Sequence, residues 1–253
     1  MSAMLAFLGD FGEAIEFIFD SQESRAGGAQ IGGAENLPLL VEHLKVTGAA
    51  MGLAIAVALP LGLWLGHTGR GAFFTISASN VGRAVPSVAL IALFVAFLPE
   101  TSAFVNVTLA LALLAIPPIL TNAYVGVRQV DRETVDAARG MGMSAAQIVG
   151  SVELPLALPL IFGGIKTSTV NVIATATIAP LVGVLTLGDP IISGTVYGRA
   201  GQIGASIIVA ALAVFAELSL SLAQQLVTPT GVRLERAPSA RIGTLKRRIQ
   251  TVP

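Results

Sequence analysis

The stretch VDAARGMGMSAAQIVGSVELP, residues Val135–Pro155, decides how the rest of the chain folds. It is the longest run in the middle of the protein that is not membrane-like, and very apolar segments flank it. It reads as a short helix, a glycine turn and a second helix ending at a proline. Asp136 is placed early in the first helix, where a carboxylate suits the positive end of the dipole. Ala137 and Ala138 are small, so another surface can come close. Gly142 permits a backbone turn that a side chain would resist. Ser144 is placed to N-cap the second helix, and Pro155 to start the next element. The expectation is a rigid two-helix arm held outside the bilayer; an ordinary hairpin between two spans is the plainer alternative.

Composition agrees. Of 253 residues, 54% are hydrophobic and 12% charged, against about 25% charged in ordinary soluble domains. Mean hydropathy is +0.80. An integral membrane protein of one domain follows. No cysteine is present, which removes disulfides and thiol chemistry. The two histidines, His43 and His67, stand apart in sequence, which argues against a zinc site. The N-terminus lacks the features of a signal peptide. No phosphate loop of the GxxxxGK[ST] type occurs, so ATP is not bound by that route, and no catalytic constellation is visible. Neither a cofactor nor nucleic acid is expected.

Five membrane spans are expected, since each needs about 20 residues. They are Lys45–Gly66, Phe73–Leu98 interrupted by Pro86, Ala103–Val125, a fourth from Leu156 toward Pro180, and Ile203–Val227. Before them, Ala3–Asp20 has Met4, Leu8, Phe11, Ile15 and Ile18 at helical spacing, with Asp10, Glu13, Glu16 and Asp20 opposite. Such a helix lies in the membrane interface or packs on another subunit. Ser21–Ala34 reads as a flexible glycine-rich linker. Thr186–Gln202 is too irregular to span and reads as a loop or short re-entrant piece. The chain thus divides into an N-terminal segment (1–36), a membrane domain (37–228) with its loop at 127–155, and a basic tail (229–253).

Five spans put the two ends on opposite sides. Arg233, Arg236, Arg241, Lys246, Arg247 and Arg248 place the tail in the cytoplasm by the positive-inside rule. Counting back places Arg128, Arg132 and Arg139 inside with it, and leaves Asp10, Glu13, Glu16, Asp20, Glu23 and Glu35 outside. The tail could also touch anionic lipid.

Ionisable residues inside spans are costly and usually functional or paired. Arg83, Lys166 and Glu217 share one depth on three different spans, and Glu217 is expected to pair with Lys166 or Arg83. In the fourth span Gly164, Ser168, Asn171 and Thr175 fall on one helix face, which lines a passage or packs against another span. Ser77, Ser79 and Asn80 are polar in the second span. Pro117-Pro118 should break the third span, with Thr121 and Asn122 satisfying the freed backbone groups.

The spacing Asp136-Ala137-Ala138, three residues, Gly142, nine residues, Val152-Glu153-Leu154-Pro155 resembles the Glu-Ala-Ala loop of membrane subunits of binding-protein-dependent ABC importers. Asp136 and Val152 are mild departures, standing where that loop has Glu and Ile. The resemblance extends over Leu37–Val227. It implies an all-α polytopic fold of the type I importer permease (MetI-like) kind, in which this loop is the coupling helix that docks on a separate ATPase. Asp136, Ala137, Ala138, Gly142, Met143, Ser144, Leu154 and Pro155 would then serve coupling, and Asn122, Ser168, Asn171 and Thr175 would be passage or gate residues.

The stretches LLVEHLKVT (39–47), GRAVPSVALIAL (82–93), NAYVG (122–126) and residues Val135–Ile161 resemble the glycine betaine, carnitine, choline and proline branch. Leu185-Thr186-Leu187-Gly188 departs from that branch, which commonly shows Gly-Gly-Leu-Gly there. The resemblance implies as partners an ABC ATPase, an extracytoplasmic substrate-binding protein on its own chain, and a second permease chain, identical or related. Membrane lipid surrounds them. A permease of the same class for methionine or phosphonate, and a non-transporting membrane scaffold, are the competing readings.

Overall fold

The computed structural model describes residues 2–71, 73, 75, 77 and 85–229. Arg83, Ser79, Asn80 and the basic residues of the tail lie outside them.

The frame consists of α2 (Asn36–Thr68), α3 (Ser87–Phe97), α4 (Ala103–Arg128), α7 (Leu154–Ala176) and α9 (Gly194–Val227). Among the described residues four helices are long and apolar enough to cross a membrane. These are Gly33–Thr68, Ala103–Arg128, Ala145–Ala176 and Gly194–Val227. The apolar helix Ser87–Phe97, of 11 residues, stands where the second span is expected and begins directly after Pro86.

Small residues explain how the frame closes. On α2, Val46, Ala50, Ala54, Ala58, Gly62 and Gly66 recur every four residues and are all buried. Helices in lipid gain little from the hydrophobic effect and associate through close backbone contact at such positions. A Cβ on Gly62 would stand 2.6 Å from the Cβ of Ala123, and one on Gly66 2.7 Å from that of Val127, both on α4. On the far side of α4, a Cβ on Gly164 of α7 would meet the Pro118 carbonyl at 2.7 Å. α4 therefore lies between α2 and α7, and α9 packs on the outside of α7.

Three expectations need correction. The pair Pro117-Pro118 does not break α4, which runs unbroken from Ala103 to Arg128. Close packing on both sides keeps the helix continuous through the prolines.

Ser21–Ala34 is not a flexible linker. It forms an antiparallel hairpin of β1 (Ser21–Glu23) and β2 (Gln30–Gly32). Gly27, Gly28, Gly32 and Gly33 all take positive φ, so they fix turns that other residues disfavour.

α1 (Ser2–Phe19) is helical as expected, but its packed face is rotated. Ala14 and Phe17 are fully buried, while Phe11 and Ile15 are 45% and 38% exposed. The buried face meets Gly201 and Gly204 of α9, and Asp10 pairs with Arg199 at 3.2 Å. α1 therefore packs on the chain's own last helix.

Thr186–Gln202 is irregular, as read, yet tightly tied. It contains α8 (Gly188–Ile192) and a kink at Gly198, φ 64°. Asp189 accepts from Ser193 (3.0 Å) and Tyr197 (2.8 Å). Buried Thr186 donates to the Ala176 carbonyl at 2.8 Å.

The candidate coupling arm and the membrane cavity

After α4 ends at Arg128, Asp131 caps α5 (Arg132–Gly140) by accepting from the Glu133 amide. Asp136 is the fifth residue of α5, so Asp131 and Glu133, not Asp136, sit at the positive end of the dipole. Asp136 is exposed and pairs with Arg139 one turn on, at 3.3 Å.

The close of α5 explains the spacing from Ala138 to Gly142. The Met143 amide donates to the Ala138 carbonyl (3.2 Å), and the Gly142 amide to Arg139 (2.9 Å). This is a Schellman cap, which places its left-handed residue four positions after the first carbonyl it satisfies. Gly142 is that residue, at φ +84°. A Cβ there would meet nothing within 4 Å, so glycine is needed for its backbone angle and not for space. The apolar contact that accompanies such a cap is present, with Met143 packed on the cluster that holds Ala138.

Ser144 caps α6 (Ala145–Ile148) as expected. Its Oγ accepts from the Gln147 amide, and Gln147 Oε1 accepts from the Ser144 amide at 2.8 Å. The two helices share a core of Val130, Val135, Ala138 and Ile148, with Met143 and Val152 against it. Ala138 is therefore small for the arm's own packing, while Ala137 faces outward beside Asp136 and Met141, the last 76% exposed.

The second helix does not end at the proline. A π-helical stretch, Val149–Glu153, joins α6 to α7, and Leu154 and Pro155 occupy the first two positions of α7, half-buried. Arm and span form one apolar helical segment, Ala145–Ala176. A π stretch shifts the helix register locally and recurs at functional positions.

At this junction lies a contact that the sequence reading missed. Glu153, 1% exposed, is hydrogen-bonded through Oε2 to His67 Nδ1 at 2.8 Å. His67 stands in the last turn of α2. A buried carboxylate is costly unless partnered, so the arm's root is fastened to the end of the first span. His43 is buried too, with Nε2 3.0 Å from the Ile173 carbonyl.

The expected ion pair between Lys166 and Glu217 does not form. Lys166 Nζ donates to Ser221 Oγ at 3.4 Å, and Glu217, one turn before Ser221, is exposed without an ion-pair partner among the described residues. Equal depth does not fix which way two side chains face around their helices.

The polar face of the fourth span divides in two. Gly164 is the close-packing point noted above. Ser168 is buried and donates to the Ala115 carbonyl at 2.9 Å, so it serves helix packing. Asn122 donates within its own helix, to the Pro118 carbonyl at 2.8 Å. That carbonyl is not one freed by the prolines, because residue 122 supplies its own helical amide. Thr121 Oγ1 is buried without a partner among the described residues. Asn171 and Thr175 instead line a cavity of about 300 Å³ together with Val85, Ser87, Leu114, Pro117 and Pro118.

Residues 50–230 match the profile of a family described as binding-protein-dependent transport system inner membrane component. The chain belongs to this family. It is thus a multi-pass membrane permease subunit of a transport system that works with a binding protein. Among its relatives is a choline transport system permease protein, OpuBB, of Bacillus subtilis. The two are 36% identical over 205 residues, covering 81% of this chain and 94% of that protein. A carnitine transport permease protein, OpuCB, of Listeria monocytogenes is 37% identical over 196 residues, covering 77% and 89%. The fold is similar to a chain of the MetNI methionine ABC transporter in an inward-facing conformation. That match has TM-score 0.66 and 20% identity, and covers 77% of this chain and 96% of the other.

Proposed function

We propose that this chain is the membrane passage for an osmoprotectant solute, a quaternary amine such as choline, glycine betaine or carnitine, or proline, moving into the cytoplasm. The observation that carries the importer part is the arm. It has its own core, is continuous with a span, and presents Asp136, Ala137, Arg139 and Met141 outward, as a surface that docks an ATPase would. The solute class rests on the relatives, which cover most of the chain at 35–37% identity and are named for choline, carnitine and glycine betaine transport.

In this reading the arm faces the cytoplasm and α1 with its hairpin faces outside, where an extracytoplasmic binding protein delivers the solute. A two-fold ATPase needs two arms and this chain has one, so a second permease, identical or related, completes the unit. Phe215, Leu218 and Leu222 of α9, 69%, 59% and 61% exposed, face lipid in this arrangement. Cavity residues Asn171 and Thr175 contribute to the passage, Ser168 holds two helices together beside it, and Asn122 caps a carbonyl within its own helix.

The test is uptake of labelled choline and glycine betaine into cells expressing this chain with an ATPase and binding protein encoded beside it. Proline and methionine serve as competitors, with a Gly142→Asp variant in parallel. Uptake of a quaternary amine that the variant loses is expected. Uptake of methionine alone would keep the importer and replace the solute. A stable complex with no ATP-dependent uptake of any solute would favour the scaffold.

A further inference from the structure

We infer that the cavity between α3, α4 and α7 is a weak binding station for a quaternary ammonium group, a step that rests on the transport reading above. In an α-helix the carbonyl of residue i accepts from the amide of i+4, and in a tightened turn from i+3. For Leu114 those residues are Pro118 and Pro117, and neither carries an N–H. The tandem prolines therefore deny the Leu114 carbonyl both of its ordinary helical donors. The carbonyl of Leu113 retains the Ile116 amide for a tightened turn. Nearby carbonyls have side-chain donors: Ala115 has Ser168, and Pro118 has Asn122. Leu114 itself lines the cavity, as do both prolines.

The opposite wall adds polar groups without formal charge. Asn171 makes no side-chain hydrogen bond among the described residues. Thr175 spends its hydroxyl hydrogen on the Asn171 carbonyl, at 2.7 Å, which leaves its oxygen free to accept. Among the described residues, none that lines the cavity is ionisable. A quaternary ammonium cannot donate a conventional hydrogen bond; it spreads its charge over methyl groups, which approach carbonyl oxygens through weak C–H···O contacts. Neutral dipoles on two walls suit such a cation in transit, since a passage must bind well enough to admit its solute and loosely enough to release it. A fixed carboxylate would hold it too long.

The experiment uses the full-length chain assembled with its ATPase in lipid nanodiscs, without the binding protein, and titrates tetramethylammonium and choline. Asn171→Asp places a carboxylate at the wall and is expected to tighten both by roughly tenfold. Affinity for 3,3-dimethylbutanol, the uncharged carbon analogue of choline, should stay unchanged. Pro118→Ala restores the helical donor to Leu114 and is expected to weaken tetramethylammonium binding by about threefold or more, with Asn171→Leu acting in the same direction. A mere packing role for Asn171 cannot produce a gain selective for the cation. An Asn171→Asp variant that melts like wild type and leaves the cation's affinity unchanged, or shifts the alcohol equally, overturns the station. Failure of the complete system to import any quaternary amine, with tetramethylammonium binding intact, would instead remove the transport reading and leave the site.

Discussion

The arm at 127–155 and the N-terminal unit at 2–35 are both short segments attached to the frame of long apolar helices, and glycine shapes both. They differ in where their cores lie. The arm packs Val130, Val135, Ala138 and Ile148 on one another. Among the described residues the N-terminal unit has no such centre: Phe17 and Ile31 pack on Ala200 and Tyr197 of α9. The first is a small body that leaves α4 at one end and runs into α7 at the other, where its root is Glu153. The second is a cover whose folding depends on the helix it covers. A segment with its own core can move as a unit, whereas one that borrows its core moves only with its lender.

The sharpest way to break this contrast is at the root. His67→Leu leaves the Glu153 carboxylate buried and unpartnered, and should cost about 3–5 kcal/mol, read as a lowered unfolding midpoint of the purified protein in detergent. An unchanged midpoint would mean that the arm is not fastened there. In the cover, Gly32→Ala sets a Cβ 2.7 Å from the Phe17 carbonyl at φ +77°. A loss of about 2 kcal/mol is expected, with faster tryptic cleavage at exposed Arg25; unchanged proteolysis would show that the hairpin is seated by other contacts. Gly142→Ala on the arm meets no neighbour and bears its backbone angle alone, about 1 kcal/mol. Transport should fall more than stability, and a variant transporting normally would detach the cap from coupling. The smallest effect is Asp10→Asn, which removes a pair whose arginine is 70% exposed. A change below about 0.5 kcal/mol is expected, and a larger one would make the cover's charges part of its hold.

Legibility in the sequence followed locality. The arm could be read because its determinants are close in sequence: a cap at Ser144, a left-handed glycine at Gly142 and a proline at Pro155 act on their immediate neighbours. The long apolar helices were legible for the same reason. The hairpin was not, since its strands are three residues each and Ile31 is their one β-branched residue. Paired glycines there look like slack when they are in fact turn formers. His67 and Glu153 are 86 residues apart, and no periodicity links them. Lys166 and Glu217 were matched by depth, but the helices' rotations turned Lys166 toward Ser221. Asn171 and Thr175 stood out because a polar face in an apolar helix is conspicuous, and both line the cavity. Ser168 lay on that same face and serves a different purpose, which only the position of Ala115 reveals.

The continuity of Ala145–Ala176 has a mechanical consequence. It crosses α4 closely at Ala157, where a Cβ on Gly126 would stand 3.0 Å away. From Ala145 to that point is about 18 Å, and from there to Ala176 about 28 Å, at 1.5 Å per residue. Between that crossing and Thr175, α7 is held to α4 twice more, by Gly164 against the Pro118 carbonyl and by Ser168 on the Ala115 carbonyl. The two helices are therefore laced together over the length that reaches the cavity, and both supply its walls. A push at the arm would arrive there as a joint displacement of α7 and α4, not as a movement of one wall against the other.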